Sequence, residues 1–93
     1  MFSSPKANVV SSDEGFSVEV LGRTGIEYKE GDKAAFIDSE VLASGHGIAV
    51  FTHSIKAWLP PHQNELITEK ERDQIVDNIR RAMEFKKQPV EVV

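Results

Sequence analysis

Apolar and polar residues alternate over Phe16-Ser17-Val18-Glu19-Val20, so Phe16, Val18 and Val20 fall on one side of an extended chain. That period of two predicts a half-buried β-strand. After a turn at Gly22-Arg23-Thr24-Gly25, the same alternation sets Thr24, Ile26 and Tyr28 against Gly25, Glu27 and Lys29. Ala7 to Ser11 is a further candidate strand, parted from Phe16 by the turn-forming Ser11-Ser12-Asp13-Glu14-Gly15. Glu30-Gly31-Asp32 then turns the chain into a strand from Lys33 to Val41. With Gly31-Asp32 as a two-residue loop, Tyr28 faces Ala35 and Ile26 faces Ile37. With Glu30-Gly31 as the loop, Ile26 faces Ala35 and Thr24 faces Ile37. The two registers differ by two residues, so both put Ile26, Tyr28, Ala35 and Ile37 on one side. The other side carries Arg23, Glu27, Lys29, Phe36, Asp38 and Glu40. Arg23 lands opposite Glu40 or Asp38, and a cross-strand ion pair is expected.

The next hairpin loop is expected at Ser44-Gly45-His46-Gly47, followed by a strand from Gly47 to Ser54. Ile48, Val50 and Phe51 break the alternation there and leave its inward face open. Pro60-Pro61 makes Ile55 to Asn64 irregular, because proline has no ladder donor. A helix follows. Thr68 and Glu71 have capping-box spacing. Glu69, Glu71 and Asp73 load its positive end, Lys86 and Lys87 its negative end, and Pro89 is expected to stop it. Ile75, Val76, Ile79, Ala82 and Met83 form its apolar stripe. Val90 to Val93 reads as a short final strand. The fold class is α+β: a twisted antiparallel sheet of about five strands with one long C-terminal helix packed on one face.

Length and composition narrow the picture. Ninety-three residues make one domain, 1–93, with 1–15 as its least regular segment. Hydrophobic residues are 40% and charged residues 28%, a composition that builds a core rather than a disordered chain. The absence of cysteine excludes a disulfide framework, a thiolate zinc site and a thiol nucleophile. No apolar run approaches the ~20 residues that span a bilayer. Met1-Phe2-Ser3-Ser4-Pro5-Lys6 has no apolar secretory core. A cytoplasmic protein with no membrane partner is expected. The net charge is −4, and its excess negative charge lies in the first half: residues 1–46 carry 4 basic and 8 acidic groups, residues 47–93 carry 7 and 7. That balance argues against a nucleic-acid partner, which needs a cationic field, and suits a basic protein.

Candidate chemistry is sparse. His46, His53 and His62 lack the spacing of a metal site, so no metal or other cofactor is expected. Asp38 and Glu40 share a strand face about 7 Å apart, a spacing open to acid–base work. A solvated strand face is the plainer reading, and no nucleophile–base–orienter set accompanies the pair. Gly22-Arg23-Thr24-Gly25 lacks the lysine and following helix of a phosphate loop. Phe36, an aromatic among charges, marks either an interaction patch or a surface covered by the N-terminal segment. Trp58, beside Leu59-Pro60-Pro61, fits either a core cap or a binding anchor.

Taken together, Leu21 to Asp32, then Phe36-Ile37-Asp38-Ser39-Glu40, Ile55 with Trp58 and Pro60-Pro61, and the helical stretch Ile75 to Arg81 resemble the immunity protein 74 family. That family groups with the antidotes of bacterial polymorphic toxin systems. The resemblance covers about residues 16 to 93. It implies a non-catalytic protein that binds a cognate toxin and blocks it, and it brings no catalytic residues. Arg23, Glu27, Phe36, Asp38 and Glu40 are the candidate partner-binding residues, with Trp58 as an anchor. The acidic first half points to a basic, nuclease-like toxin. The rival reading is a homodimeric structural or regulatory module whose outer face pairs with itself. A hydrolase built on Asp38 and Glu40 is the third.

Overall fold

Gly31-Asp32 is the loop of the central hairpin. In a computed structural model that describes residues 1–42 and 47–93, Glu30 pairs with Lys33, Tyr28 with Ala35 and Ile26 with Ile37. Gly31 takes φ +61°, the positive value that a loop with glycine first requires. These two strands, β4 (Gly25–Glu30) and β5 (Lys33–Val41), are the centre of a seven-stranded sheet. The remaining strands are β1 (Phe2–Lys6), β2 (Val9–Ser12), β3 (Phe16–Val20), β6 (Ile48–Val50) and β7 (Val90–Val92), and they lie side by side in chain order.

Three expectations are corrected here. The sheet has seven strands, not about five: residues 2–6 add an edge strand on β2, which itself overlaps the candidate Ala7 to Ser11, and the short final strand joins the same sheet beside β6. The sheet is curled and mixed, since β7 runs parallel to β6 after the helix returns the chain. The strand expected from Gly47 to Ser54 is Ile48–Val50 followed by one 3-10 turn, Thr52–Ser54. The hairpin loop expected at Ser44 to Gly47 falls, for residues 44–46, outside the described residues.

The inner face is built by alternation. Val10, Val18, Tyr28 and Ala35 form one continuous buried row across β2 to β5. Ile26 and Ile37 form the next, and Ile48 and Val50 extend the core on β6. Helix α1 (Glu69–Phe85) lays Ile75, Ile79, Ala82 and Met83 on this face, all buried. Each buried Val, Ile or Met contributes about 1.5–3 kcal/mol. Ile55, Trp58 and Ile67 close the core from the irregular segment. That segment is pinned by Leu59 N–H donating to the Ala34 carbonyl at 2.7 Å and by a bridge between Ala57 and Leu66.

The helix begins as expected. Thr68 is its N-cap: Glu71 N–H donates to the Thr68 hydroxyl, and Thr68 N–H donates to the Glu71 carboxylate. Its end differs. The helix stops at Phe85, four residues before Pro89, so Lys86 and Lys87 lie beyond its last turn. Lys87 at φ 59° turns the chain, and Gln88 N–H and Lys87 N–H donate back to the carbonyls of Met83 and Glu84. This is the Schellman arrangement, with lysine in the left-handed position that usually belongs to glycine. Lys87→Gly is expected to relieve about 1 kcal/mol of strain and raise the thermal unfolding midpoint. A lowered midpoint would count against the cap.

A buried polar tie joins sheet to helix. The Tyr28 hydroxyl, on a fully buried side chain, donates to Glu30 at 2.6 Å and accepts from the Asn78 amide at 2.8 Å. Asn78 Oδ1 accepts in turn from Gln74 and Arg81. Burial, then the Glu30 carboxylate, push the Tyr28 phenol far above its ordinary range. Above about pH 10 the unfolded chain releases this proton while the folded chain keeps it, so stability falls as pH climbs from there. Tyr28 is the single tyrosine. In an alkaline titration its tyrosinate absorbance is expected to appear together with the loss of helical circular dichroism, not before it.

Candidate partner-binding face

The face of the sheet opposite the helix follows from the same registers. One row runs Lys6, Val9, Glu19, Glu27 and Phe36. A second runs Ser11, Ser17, Lys29 and Ala34. A third pairs Gly25 with Asp38, whose carbonyl accepts from Phe51 N–H at 3.0 Å. A fourth runs Glu40, Ala49 and Glu91. The N-terminal segment therefore lengthens the sheet edgewise and leaves this face bare. Phe36 is 45% exposed on it.

Glu27 and Phe36 are direct cross-strand neighbours, and Asp38 and Glu40 follow Phe36 on the same side of β5. These four candidates come together. Arg23 does not join them on the ladder: Leu21 N–H donates to the Gly25 carbonyl, which places Arg23 at the tip of the β3–β4 turn. The expected ion pair with Glu40 or Asp38 is absent among the described residues, although the turn's backbone stays beside β5: Ser39 N–H donates to the Thr24 carbonyl at 3.2 Å and Val41 N–H to the Arg23 carbonyl at 2.9 Å. Trp58 is also elsewhere. It is 4% exposed within the core, with the Lys33 ammonium 5.5 Å from its ring, so it caps the core and does not stand on this surface.

The face is electrostatically uneven. Glu19 and Glu27 stand directly opposite each other, an arrangement of like charges that costs stability. Lys29 relieves Glu27 at 3.3 Å, and the Asn8 amide reaches Glu19 at 3.5 Å. Among the described residues Asp38 and Glu40 have no cationic partner.

Four further contributors escaped the sequence reading. Phe51 and His53 line a shallow cleft with Thr24, Phe36, Asp38 and Ser39. Ser54 holds this corner: its hydroxyl accepts from Asp38 N–H at 3.0 Å and donates to the Phe51 carbonyl at 2.6 Å. Gly25 makes room for Phe36. A Cβ there would lie 2.8 Å from the Phe36 ring, so the ring rests across bare backbone. A strand glycine beside an aromatic was the available signal for this contact.

The sequence model of the family described as Immunity protein 74 matches residues 17–93. The chain belongs to that family. No curated protein and no solved structure matches it. In this member of the immunity protein 74 family, the match takes in β4, β5, β6, α1 and β7 and leaves β1 and β2 outside it. Every outer-face candidate thus falls within the stretch matched to the family. Among the described residues, no helix is long and apolar enough to cross a membrane.

Gly25→Ala is expected to drive the Phe36 ring off the backbone at a cost of about 1 kcal/mol. Ring-current shifts at residue 25, together with denaturant unfolding, test it. Unchanged Phe36 shifts would refute the packing.

Proposed function

We propose that this chain is a non-catalytic cytoplasmic antidote that binds and neutralises a cognate bacterial toxin through its outer sheet face. Membership of the immunity protein 74 family supports a toxin partner. The observation that carries the choice of face is its charge around an exposed aromatic. Glu19, Glu27, Asp38, Glu40 and Glu91 lie on the outer rows with Phe36, while Lys29 and the edge residue Lys6 are the cations there among the described residues. Such a surface suits a basic toxin of the nuclease kind, whose own cationic cleft it would cover.

Neutralisation by occlusion asks for complementarity and nothing more. A standard interface needs about 800 Å² on each partner. A desolvated aromatic near its centre with a charged rim matches the anatomy of tight interfaces. A second copy of the chain is the poorer occupant, since pairing this face with itself sets carboxylates against carboxylates. Asp38 and Glu40 act here as recognition groups.

Co-expression with the toxin is expected to restore growth, and the purified pair to associate rapidly at low salt. Asp38→Lys with Glu40→Lys is expected to slow association about tenfold and flatten its salt dependence. Failure to restore growth would refute the antidote role. Restored growth with unchanged association kinetics would move the interface off this face.

A further inference from the structure

Asp38 stands between two phenylalanines on the outer face. Phe36 precedes it by two residues on β5, and Phe51 is its neighbour on the β6 side. On the β4 side is Gly25, which offers no side chain. The result is a shallow cleft of about 460 Å³ lined by both rings' residues with the Asp38 carboxylate among them. The parts are held in place: Phe36 rests on Gly25, and Ser54 ties the Asp38 backbone to that of Phe51.

We propose that this cleft receives an arginine side chain of the partner protein. Deepening the reading above, the inference relies on it for the partner being a basic protein. Three features select the ligand. The carboxylate has no cation of its own among the described residues, so a positive group completes it. A guanidinium is planar and presents paired N–H donors that a carboxylate accepts in a fork. Its faces stack on aromatic rings, and it gives up water more readily than an ammonium does. Lysine offers a strongly hydrated point charge and satisfies only the first of these features. The surrounding carboxylates Glu27 and Glu40 favour either cation, so discrimination comes from the cleft itself.

The test uses the whole chain, isotope-labelled, titrated with N-acetyl-arginine amide, N-acetyl-lysine amide and the neutral N-acetyl-citrulline amide. Arginine amide is expected to shift the Phe36 and Phe51 ring signals and the Asp38 and Ser39 amides along one saturable curve. Lysine amide should bind about fivefold more weakly. Citrulline amide should leave these signals unmoved. Asp38→Asn, a substitution on the exposed face, should keep the fold's spectrum and lose the arginine response. Shifts scattered over the acidic rows, equal for arginine and lysine and intact in Asp38→Asn, would overturn the proposal. Growth rescue by the unaltered chain is a separate readout: rescue with a silent cleft overturns the arginine site alone, and lack of rescue overturns the antidote role alone.

Discussion

Side-chain alternation across the β4–β5 ladder governs both faces of this molecule. Ile26, Tyr28, Ala35 and Ile37 are almost wholly buried, and the alternate residues beside them include Glu27, Phe36 and Asp38. A slip of one residue would expose the first set and bury the second, including two carboxylates. The core and the outer face are therefore a single decision, made where Gly31 closes the hairpin. Desolvating Glu27 and Asp38 without partners would cost several kcal/mol each, which locks the register.

The helix adds a second lock, polar rather than apolar. Tyr28 reaches from the sheet to Asn78, and Arg81 binds Asn78, Asp77 and Glu14 together. The Arg81 guanidinium also lies over Phe16 and Phe2, at 5.6 and 5.9 Å. Phe2 packs edge-on against Phe16 and beside Phe85. The N-terminal hairpin is thus drawn to the helix side of the sheet, where these rings find apolar company. Its edge strand is blunted by Pro5 and a break in register after Ser3, which discourages further pairing at that edge. The same attraction that anchors the hairpin keeps it off the outer face.

That face tolerates a local cost. Two glutamates oppose one another, an exposed phenylalanine lies across a glycine, and two carboxylates go without cations among the described residues. None of this improves the core on the other side. A sheet that presents charge and an aromatic in fixed positions needs little rearrangement to meet a partner, which limits the entropy lost in any such contact. Membership of an immunity protein family is consistent with a surface organised in this way.

The helix cap, the central hairpin and the division between core and outer residues were all legible in the sequence, because each is a local property. Thr68 and Glu71 meet within one turn, and Gly31 decides its own φ. Phe36, Asp38, Glu27 and Glu40 were assigned to one face from parity alone. Other features needed the third dimension. Residues 2–6 carry no clean alternation, and only pairing with β2, which overlaps the candidate strand Ala7 to Ser11, makes them a strand. The parallel β7 depends on where the helix delivers the chain, and Lys87 decides that through a conformation its residue type does not advertise. Trp58 went to the core because Ile55 to Ile67 folds over the end of the sheet, and Arg23 lies in a turn whose backbone bonds β5 through Val41 N–H while its side chain makes no ion pair with Asp38 or Glu40. Phe51 joined Asp38 only through the β5–β6 register, set across residues far apart in its hydrogen-bonding logic from any local pattern. Local chemistry determines which way a side chain faces; which side chains become neighbours on that face is decided by strand pairing, a long-range choice that the pattern along one strand does not contain.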